Sequence, residues 1–301
     1  MNEEKIFEID NLCVTHTDFD GIASATLVYL ALKNCQTKLQ DPSSNFSKVK
    51  AKRVIITDIA ITGATFSSLQ NINADTILWI DHHRPFVDVS TLAFPENVKI
   101  IVDPVSPSAV ELVKKYFSLN GDVIEKITQL GTKADRWQLD SEEVRSWVDI
   151  TTAWVNYHLD PNILVQALAK LEISGKVKEV LEKYRSEKEE AKKELIKNTI
   201  VKEIKGHIIA VGLAPSILSG SESADILLKE TGSEVQIVLK KEGWMSFRRA
   251  KTSTLNLITL AKAFGGGGHE YASGAVLGKS VTLENFEKIA DEIFSKIESV
   301  L

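Results

Sequence analysis

The chain has 301 residues, is 44% hydrophobic and 26% charged, and carries a formal net charge of −5. That is ordinary globular composition, long enough for two domains and a sizeable core. The acidic balance argues against a dedicated duplex-DNA binder, which presents a basic face, and no run approaches the roughly 18 consecutive apolar residues of a membrane helix.

The start, Met1-Asn2-Glu3-Glu4-Lys5, is polar and lacks an apolar secretory stretch. Strand-like apolar runs follow at 11–16, 52–57, 76–81 and 98–102, with helical patterns between them at about 20–34, 64–72 and 106–119. Asp20 or Gly21 can open the first helix, whose apolar residues Ile22, Ala25, Leu27, Val28, Leu30 and Ala31 cover most of its circumference. This rhythm implies βαβ units and a mostly parallel sheet with helices on both faces. Residues 36–50 are polar and read as a loop, and further helices are expected at 121–131, 141–156 and 161–171. Cys13 and Cys35 are too few for a disulfide framework and do not have zinc spacing, so a reducing cytoplasm is the expected setting, with no membrane partner.

The segment 176–205 is dominated by Lys and Glu around a thin stripe of Val177, Val180, Leu181, Tyr184, Ala191, Leu195 and Ile196. It reads as a solvated helix bridging two domains. Beyond it, 207–213 and 234–239 look like strands, and Gly243 to Arg248 alternates and should pair with the preceding strand through the turn Lys241-Glu242-Gly243. Helical patterns at 223–230 and 255–264, a short strand at 273–277 and an amphipathic closing helix at 283–300 complete the chain. The expected architecture is α/β: a doubly wound, mostly parallel N-domain (1–172), a charged linker helix (173–200) and a smaller α/β C-terminal domain (201–301).

Three strands end in oxygen and imidazole donors. His16-Thr17-Asp18-Phe19-Asp20-Gly21 follows the first, Asp58 the second, and Asp81-His82-His83 the third. In an open parallel sheet these ends line one edge, where ligands bind, so the donors point to one shared site for hard cations. An Asp pair with a His suits Mn²⁺ or Mg²⁺, and the imidazole tilts the choice to Mn²⁺. Taken alone, Asp20 could be a helix cap and Asp58 a turn residue. Adjacent His82 and His83 diverge, so one is expected to ligate metal and the other to reach a phosphate, with Asp81 orienting an imidazole. Asp135, between two expected helices, reads unaided as a surface acid. Gly265-Gly266-Gly267-Gly268 ends a helix and exceeds what a cap needs; with His269 and Arg248 it looks like a backbone anion cradle. Two ions about 3.5–4 Å apart need no Ser or Cys nucleophile, and the chemistry expected is hydrolysis of a phosphoester or phosphoanhydride.

These residues resemble the DHH phosphoesterase superfamily. His16-Thr-Asp18-Phe-Asp20-Gly21 looks like its first motif, Asp58 its second, Asp81-His82-His83 its third, and Asp135 its fourth metal-binding acid. Gly265 to His269, continuing Glu-Tyr-Ala272-Ser-Gly274, is similar to the signature of the associated C-terminal domain of RecJ exonucleases and nanoRNases. The resemblance implies one Mn²⁺ on His16, Asp18 and Asp58, and a second on Asp20, Asp58, His82 and Asp135, with Mg²⁺ as the substitute ion. His83, oriented by Asp81, would touch the scissile phosphate, and Arg248, Gly266, Gly267, Gly268 and His269 would hold another part of the substrate. One residue separates His16 from Asp18, where many members have three. The implied activity is degradation of short single-stranded RNA or DNA to mononucleotides. A small-nucleotide substrate, such as a 3′,5′-bisphosphate nucleotide or a linear or cyclic dinucleotide, is the alternative, and a non-catalytic binding module a third. Trp244, Phe247 and Tyr271 are candidate base platforms, and a homo-oligomer is compatible with the sequence.

Overall fold

The structure, a computed structural model, describes residues 9–41 and 44–301. The polar N-terminus and loop positions 42 and 43 lie outside the described residues. The chain divides into two compact units, Met1–Tyr184 and Arg185–Leu301.

The first unit contains β1 (Asn11–Thr15), α1 (Phe19–Leu32), β2 (Gln36–Leu39), β3 (Val49–Lys50), β4 (Arg53–Thr57), α2 (Gly63–Ser67), β5 (Ile72–Asn73), β6 (Thr76–Asp81), β7 (Val98–Val102), α3 (Ala109–Tyr116), α4 (Asp122–Asp135), α5 (Glu142–Asn156) and α6 (Pro161–Ala169). Five strands form one parallel sheet in the order β2-β1-β4-β6-β7, while β3 and β5 pair separately. Both faces of the main sheet are covered, which is why its central strands are continuous apolar runs rather than alternating ones. Leu12, Val14, Val54, Ile56, Ile77 and Trp79 pack with Phe46, Ile59, Ile61, Leu69 and Ile72. Cys13, Ile55 and Ile80 lie on the other face, where α1 and α3 pack. Helix α1 also packs against α4, α5 and α6, and so is buried along most of its length. The chain winds from β1 to β2 on one side and to β4 on the other, so the strand order reverses between β1 and β4, the place where doubly wound sheets bind ligands.

The second unit contains β8 (Thr199–Ile204), β9 (His207–Leu213), α8 (Gly220–Thr231), β10 (Val235–Leu239), β11 (Trp244–Arg249), α9 (Leu257–Lys262), β12 (Gly267–His269), β13 (Ala272–Val276) and α10 (Phe286–Glu298), following α7 (Gly175–Lys197). Its six strands run β12-β13-β11-β10-β9-β8, with β9 and β10 parallel and the other pairs antiparallel. One face packs on residues of α9 and α10. The other meets α8 together with Ala191 and Leu195 of α7.

Several elements differ from the sequence reading. Residues 36–39 are not loop but an edge strand beside β1, where one side of the strand has no neighbouring strand and polar Gln36 and Lys38 are tolerated. The charged segment is not helical to residue 205. The helix stops at Lys197, and Thr-Ile-Val-Lys-Glu-Ile becomes edge strand β8, half-exposed despite its β-branched residues. Asp135 is the last residue of α4 rather than an interhelical acid. The cap of α1 is Asp18, not Asp20 or Gly21. Phe247, offered as a base platform, is fully buried in the second unit's core.

Candidate metal centre

The parallel register places Thr15 beside Thr57 and Thr57 beside Ile80, so β1, β4 and β6 end side by side. His16, Asp58 and Asp81 are thereby delivered to one edge. Two threonines tie the ends together. Thr57 Oγ1 donates to Thr15 Oγ1 at 2.8 Å, and Thr15 Oγ1 donates to Gly21 O at 2.8 Å, with both side chains fully buried. The turn after β1 is too tight for a side chain at Gly21, where a Cβ would lie 2.4 Å from His16 O. Asp58 itself adopts a left-handed backbone at φ 58°. This conformation is uncommon for a residue other than glycine, although Asp tolerates it better than most.

Each acid in the cluster is held differently. Asp18 caps α1, its Oδ1 accepting from Gly21 N at 3.0 Å. Asp20 is buried and caps another helix: Oδ2 accepts from Ala109 N at 2.7 Å and Oδ1 from Val110 N at 3.1 Å, at the start of α3. Ser108, at the cap position of α3, makes no side-chain cap bond, so Asp20 takes over that task. Asp81 is buried, and its Oδ1 lies 2.8 Å from His83 Nδ1. Asp58 is buried with neither carboxylate oxygen hydrogen-bonded.

Around Asp58 the donors converge. His16 Nδ1 lies 2.9 Å from Asp18 Oδ2 and 3.5 Å from Asp58 Oδ2, so the short His16–Asp18 spacing does bring His16 to the cluster. His82 Nε2 lies 3.6 Å from Asp58 Oδ1, 3.8 Å from Asp135 Oδ1 and 3.9 Å from Asp20 Oδ2. Yet His16 Nδ1, His82 Nε2 and both oxygens of Asp58 make no hydrogen bond. Buried polar atoms are almost always paired, and an orphan demands an explanation. Imidazole and carboxylate atoms that converge without hydrogen-bond geometry have the arrangement of a ligand shell. Three overlapping groups have ligand atoms within 4.8 Å of one another: His16, Asp18 and Asp58; Asp20, His82 and Asp135; and Asp58, His82 and His83. Carboxylate and imidazole donors of this kind suit Mn²⁺ or Mg²⁺, so the residues fit a divalent-cation centre.

The electrostatics agree. Burial pushes the carboxyl of Asp58 up, and Asp18 adds to it; Asp20 is raised by burial and then by Asp58 and Asp18. Burial lifts Asp135 to about 6. Burial works against charging His82 and His83, but Asp58 and Asp20 outweigh it for His82 and Asp81 for His83, holding each at about 9. His16 is likewise held well above its ordinary value, against its burial, chiefly by Asp18 and then Asp58. Burial works against ionising Asp18, but His16 outweighs it and holds that carboxyl low, so without a cation the protons that balance the site sit on the imidazoles and on the raised acids.

In the second unit, Arg248 lies in register with Ala272, and Ala272 with His269, on one face of the sheet. Its guanidinium donates to Ser221 Oγ at 3.0 Å and Phe247 O at 2.9 Å. The glycine run does not form an open nest. Gly267 and Gly268 belong to β12, paired with β13. Close backbone approach accounts for two of the glycines: a Cβ on Gly266 would lie 2.0 Å from Gly274 O, and one on Gly268 2.7 Å from Ala272 O. His269 is exposed and stacks on Tyr271, with ring centroids 5.7 Å apart.

Sequence reasoning missed Thr15, Thr57 and Ser221. The recurrence of Thr before the donor in Val-Thr-His16 and Ile-Thr-Asp58 was the available signal for the first two. Nothing marks Ser221.

Fold and site together define a class: a doubly wound α/β domain with acids and imidazoles gathered at the carboxyl ends of its strands. Residues 12–136 match the family model described as DHH family, N-terminal domain, whose members hydrolyse phosphodiester or phosphoanhydride bonds. No curated protein sequence matches the chain. Among solved structures, it is similar to a pGpG-specific phosphodiesterase, PggH, from Vibrio cholerae, with a TM-score of 0.61 and 17% identity over 97% of this chain and 100% of that one. The DHH domain of a member of a family of ribosomal proteins gives a TM-score of 0.70 at 14% identity, covering 97% of this chain and 87% of that chain. RecJ from Thermus thermophilus in complex with Mn²⁺ gives 0.61 at 11% identity, covering 95% of this chain and 51% of that one. At these identities the likeness is one of fold. No helix among the described residues is long and apolar enough to cross a membrane.

Proposed function

We propose that the chain is a Mn²⁺-dependent phosphodiesterase that degrades short single-stranded oligonucleotides, dinucleotides included, to mononucleotides. The observation that carries this reading is the set of orphaned, convergent donors around Asp58. His16, Asp18 and Asp58 would hold one ion, and Asp20, Asp58, His82 and Asp135 the other, with Asp58 shared. Divalent ions in such a site polarise phosphoryl oxygens and lower the pKa of water to the neutral range.

The chain's own residues orient and neutralise. Asp20 spends part of its charge on the α3 N-terminus, which fixes its direction. Burial works against charging His83, but the Asp81 carboxylate on its Nδ1 side outweighs it and, in the cation-free site, holds the imidazole at about 9, with a proton at Nε2 at neutral pH. That proton is the donor for an oxygen of the scissile phosphate. His83 is more exposed than His82, as a substrate contact requires. In the C-terminal unit, Arg248, Gly266, Gly267, Gly268 and His269 would bind another part of the substrate.

The similarity to a pGpG phosphodiesterase over both full lengths favours a linear dinucleotide as the shortest substrate. End-labelled two- to five-residue RNA and DNA, a cyclic dinucleotide and a 3′,5′-bisphosphate nucleotide should be incubated with Mn²⁺ and with chelator, and the products resolved. Mononucleotides released only with metal from the linear oligomers support the reading. Release of phosphate from the bisphosphate alone, or turnover in chelator, would overturn it.

A further inference from the structure

Helix α4 carries a glycine in its interior. Gly131 is buried and keeps right-handed helical backbone, so neither a cap nor a left-handed turn accounts for it. Glycine inside a helix is less favourable than alanine. The account lies in what alanine would meet. A Cβ at residue 131 would lie 2.9 Å from Ala23 Cβ on α1, 2.9 Å from Val110 Cγ1 on α3 and 3.5 Å from Asp20 Oδ1. Carbon atoms pack at about 3.5–4.0 Å, so the first two contacts each fall short by about 0.6 Å or more.

The obstructions are held in place. Ala23 and Val110 are fully buried, and the Ala23 methyl is fixed by the backbone of α1. The crowding comes from two helices at once, so α4 would have to lift from both. It is also pinned near both ends of α3: the hydroxyls of Thr132 and Ser108 lie 2.7 Å apart, and Lys114 pairs with Glu125 at 2.6 Å.

Asp135 follows Gly131 by four residues, one turn along the same face of α4. Asp20 and Asp135 both approach His82 Nε2, at 3.9 and 3.8 Å, and the three form one of the convergent groups. Asp20 is anchored by two N–H groups of α3, so the gap between the acids depends on where α4 rests. Metal–ligand distances tolerate deviations of about 0.2 Å. The displacement that alanine demands exceeds this.

We infer that Gly131 is a positioning residue: its missing side chain seats α4 against α1 and α3 and thereby sets the gap between Asp20 and Asp135 for the second cation. The inference rests on the proposed function only for the presence of that cation. The first cation, on His16, Asp18 and Asp58, draws no ligand from α4 and should be spared.

The test is Mn²⁺ titration of the full chain by calorimetry and low-temperature electron paramagnetic resonance, with thermal melting in chelator. Gly131→Ala should fold without metal and bind the first Mn²⁺ as the parent does. It should bind the second about 10- to 100-fold more weakly, the loss expected when a ligand's support is removed, and show isolated rather than spin-coupled Mn²⁺. Adding Ala23→Gly and Val110→Ala, which remove both obstructing groups, should restore most of the second affinity and the coupled spectrum. Unchanged second affinity in Gly131→Ala would overturn the inference, as would a loss that the two compensating changes leave in place. Equal weakening of both ions, or a variant that does not fold in chelator, would make Gly131 a residue of general packing and overturn it too. A parent that binds two ions and hydrolyses nothing would refute the proposed activity and keep this inference. An active parent whose Gly131→Ala variant keeps both ions would do the reverse, and a parent with a single ion would sink both.

Discussion

Asp58→Asn separates metal binding from folding. Asn keeps the side-chain shape and tolerates the left-handed backbone that residue 58 adopts. In the cation-free protein the Asp58 carboxyl is buried without a hydrogen bond and its pKa is raised. For an acid, a raised folded-state pKa means that ionisation at neutral pH works against folding. The neutral variant should therefore be at least as stable as the parent without metal. With Mn²⁺ at a hundredfold excess over Kd, each site adds about 2.7 kcal/mol, or about 5 kcal/mol for two. In a unit of 184 residues, about 1 kcal/mol moves Tm by about 2–4 °C, so Mn²⁺ should raise the parent's Tm by roughly 10–20 °C. Loss of a shared ligand that weakens each site a hundredfold leaves about 0.4 kcal/mol per site at the same Mn²⁺ concentration, a shift of about 2–3 °C. Trp79, Trp147 and Trp154 are buried in this unit, so intrinsic fluorescence reports its melting. A variant that keeps the parent's Mn²⁺ shift, or that loses several degrees without metal, would refute the reasoning.

Asp20→Asn should behave oppositely in the absence of metal. Its amide group presents a donor to one of the α3 N–H groups that Asp20 now satisfies, and the lost charge-assisted bond costs about 1.5–3 kcal/mol; chemical denaturation without Mn²⁺ would show this, and unchanged stability would deny Asp20 its capping role. Thr57→Val keeps the volume but removes the donor to Thr15, and should weaken Mn²⁺ binding about 10- to 100-fold, as loss of a supporting hydrogen bond does; equal affinity by calorimetry would show that the threonine pair does not set the ligand positions. Proton linkage has a defined sign. His82, with a raised pKa of about 9, is protonated at pH 7 and must release that proton to bind a cation. Mn²⁺ affinity should therefore rise with pH up to about 9, while the stabilisation His82 gives the cation-free fold is complete below its unfolded pKa and is lost through the same interval. Calorimetry in buffers of different ionisation enthalpy counts the protons, and none released at pH 7 would contradict the assignment.

The parts of this fold that were legible in sequence are those with strong local signals. Val54-Ile55-Ile56 and Ile77-Leu78-Trp79-Ile80 are apolar because both faces of a parallel strand are buried, and their ends point to one edge by topology alone. Convergence of His16, Asp58 and His82 followed from that rule without any contact being known. The edge strands at 36–39 and 199–204 were missed because an edge strand half in solvent keeps polar residues, and Lys-Glu content masked the second as helix. That part of the glycine run forms strand β12 was not legible, because four glycines signal freedom of backbone, but not whether that freedom admits a ligand or another strand. Asp20's bonds to Ala109 and Val110 join residues about ninety positions apart, and no local pattern encodes such a contact.

The central claim is that Asp58 joins two cation sites. Equilibrium dialysis with metal quantitation, paired with low-temperature electron paramagnetic resonance of the Mn²⁺-loaded full chain, tests it most directly. Two Mn²⁺ per chain with a spin-coupled spectrum, reduced to uncoupled or absent Mn²⁺ in Asp58→Asn, is the predicted result. A single isolated Mn²⁺ per chain, or two that stay coupled without the Asp58 carboxylate, would contradict it.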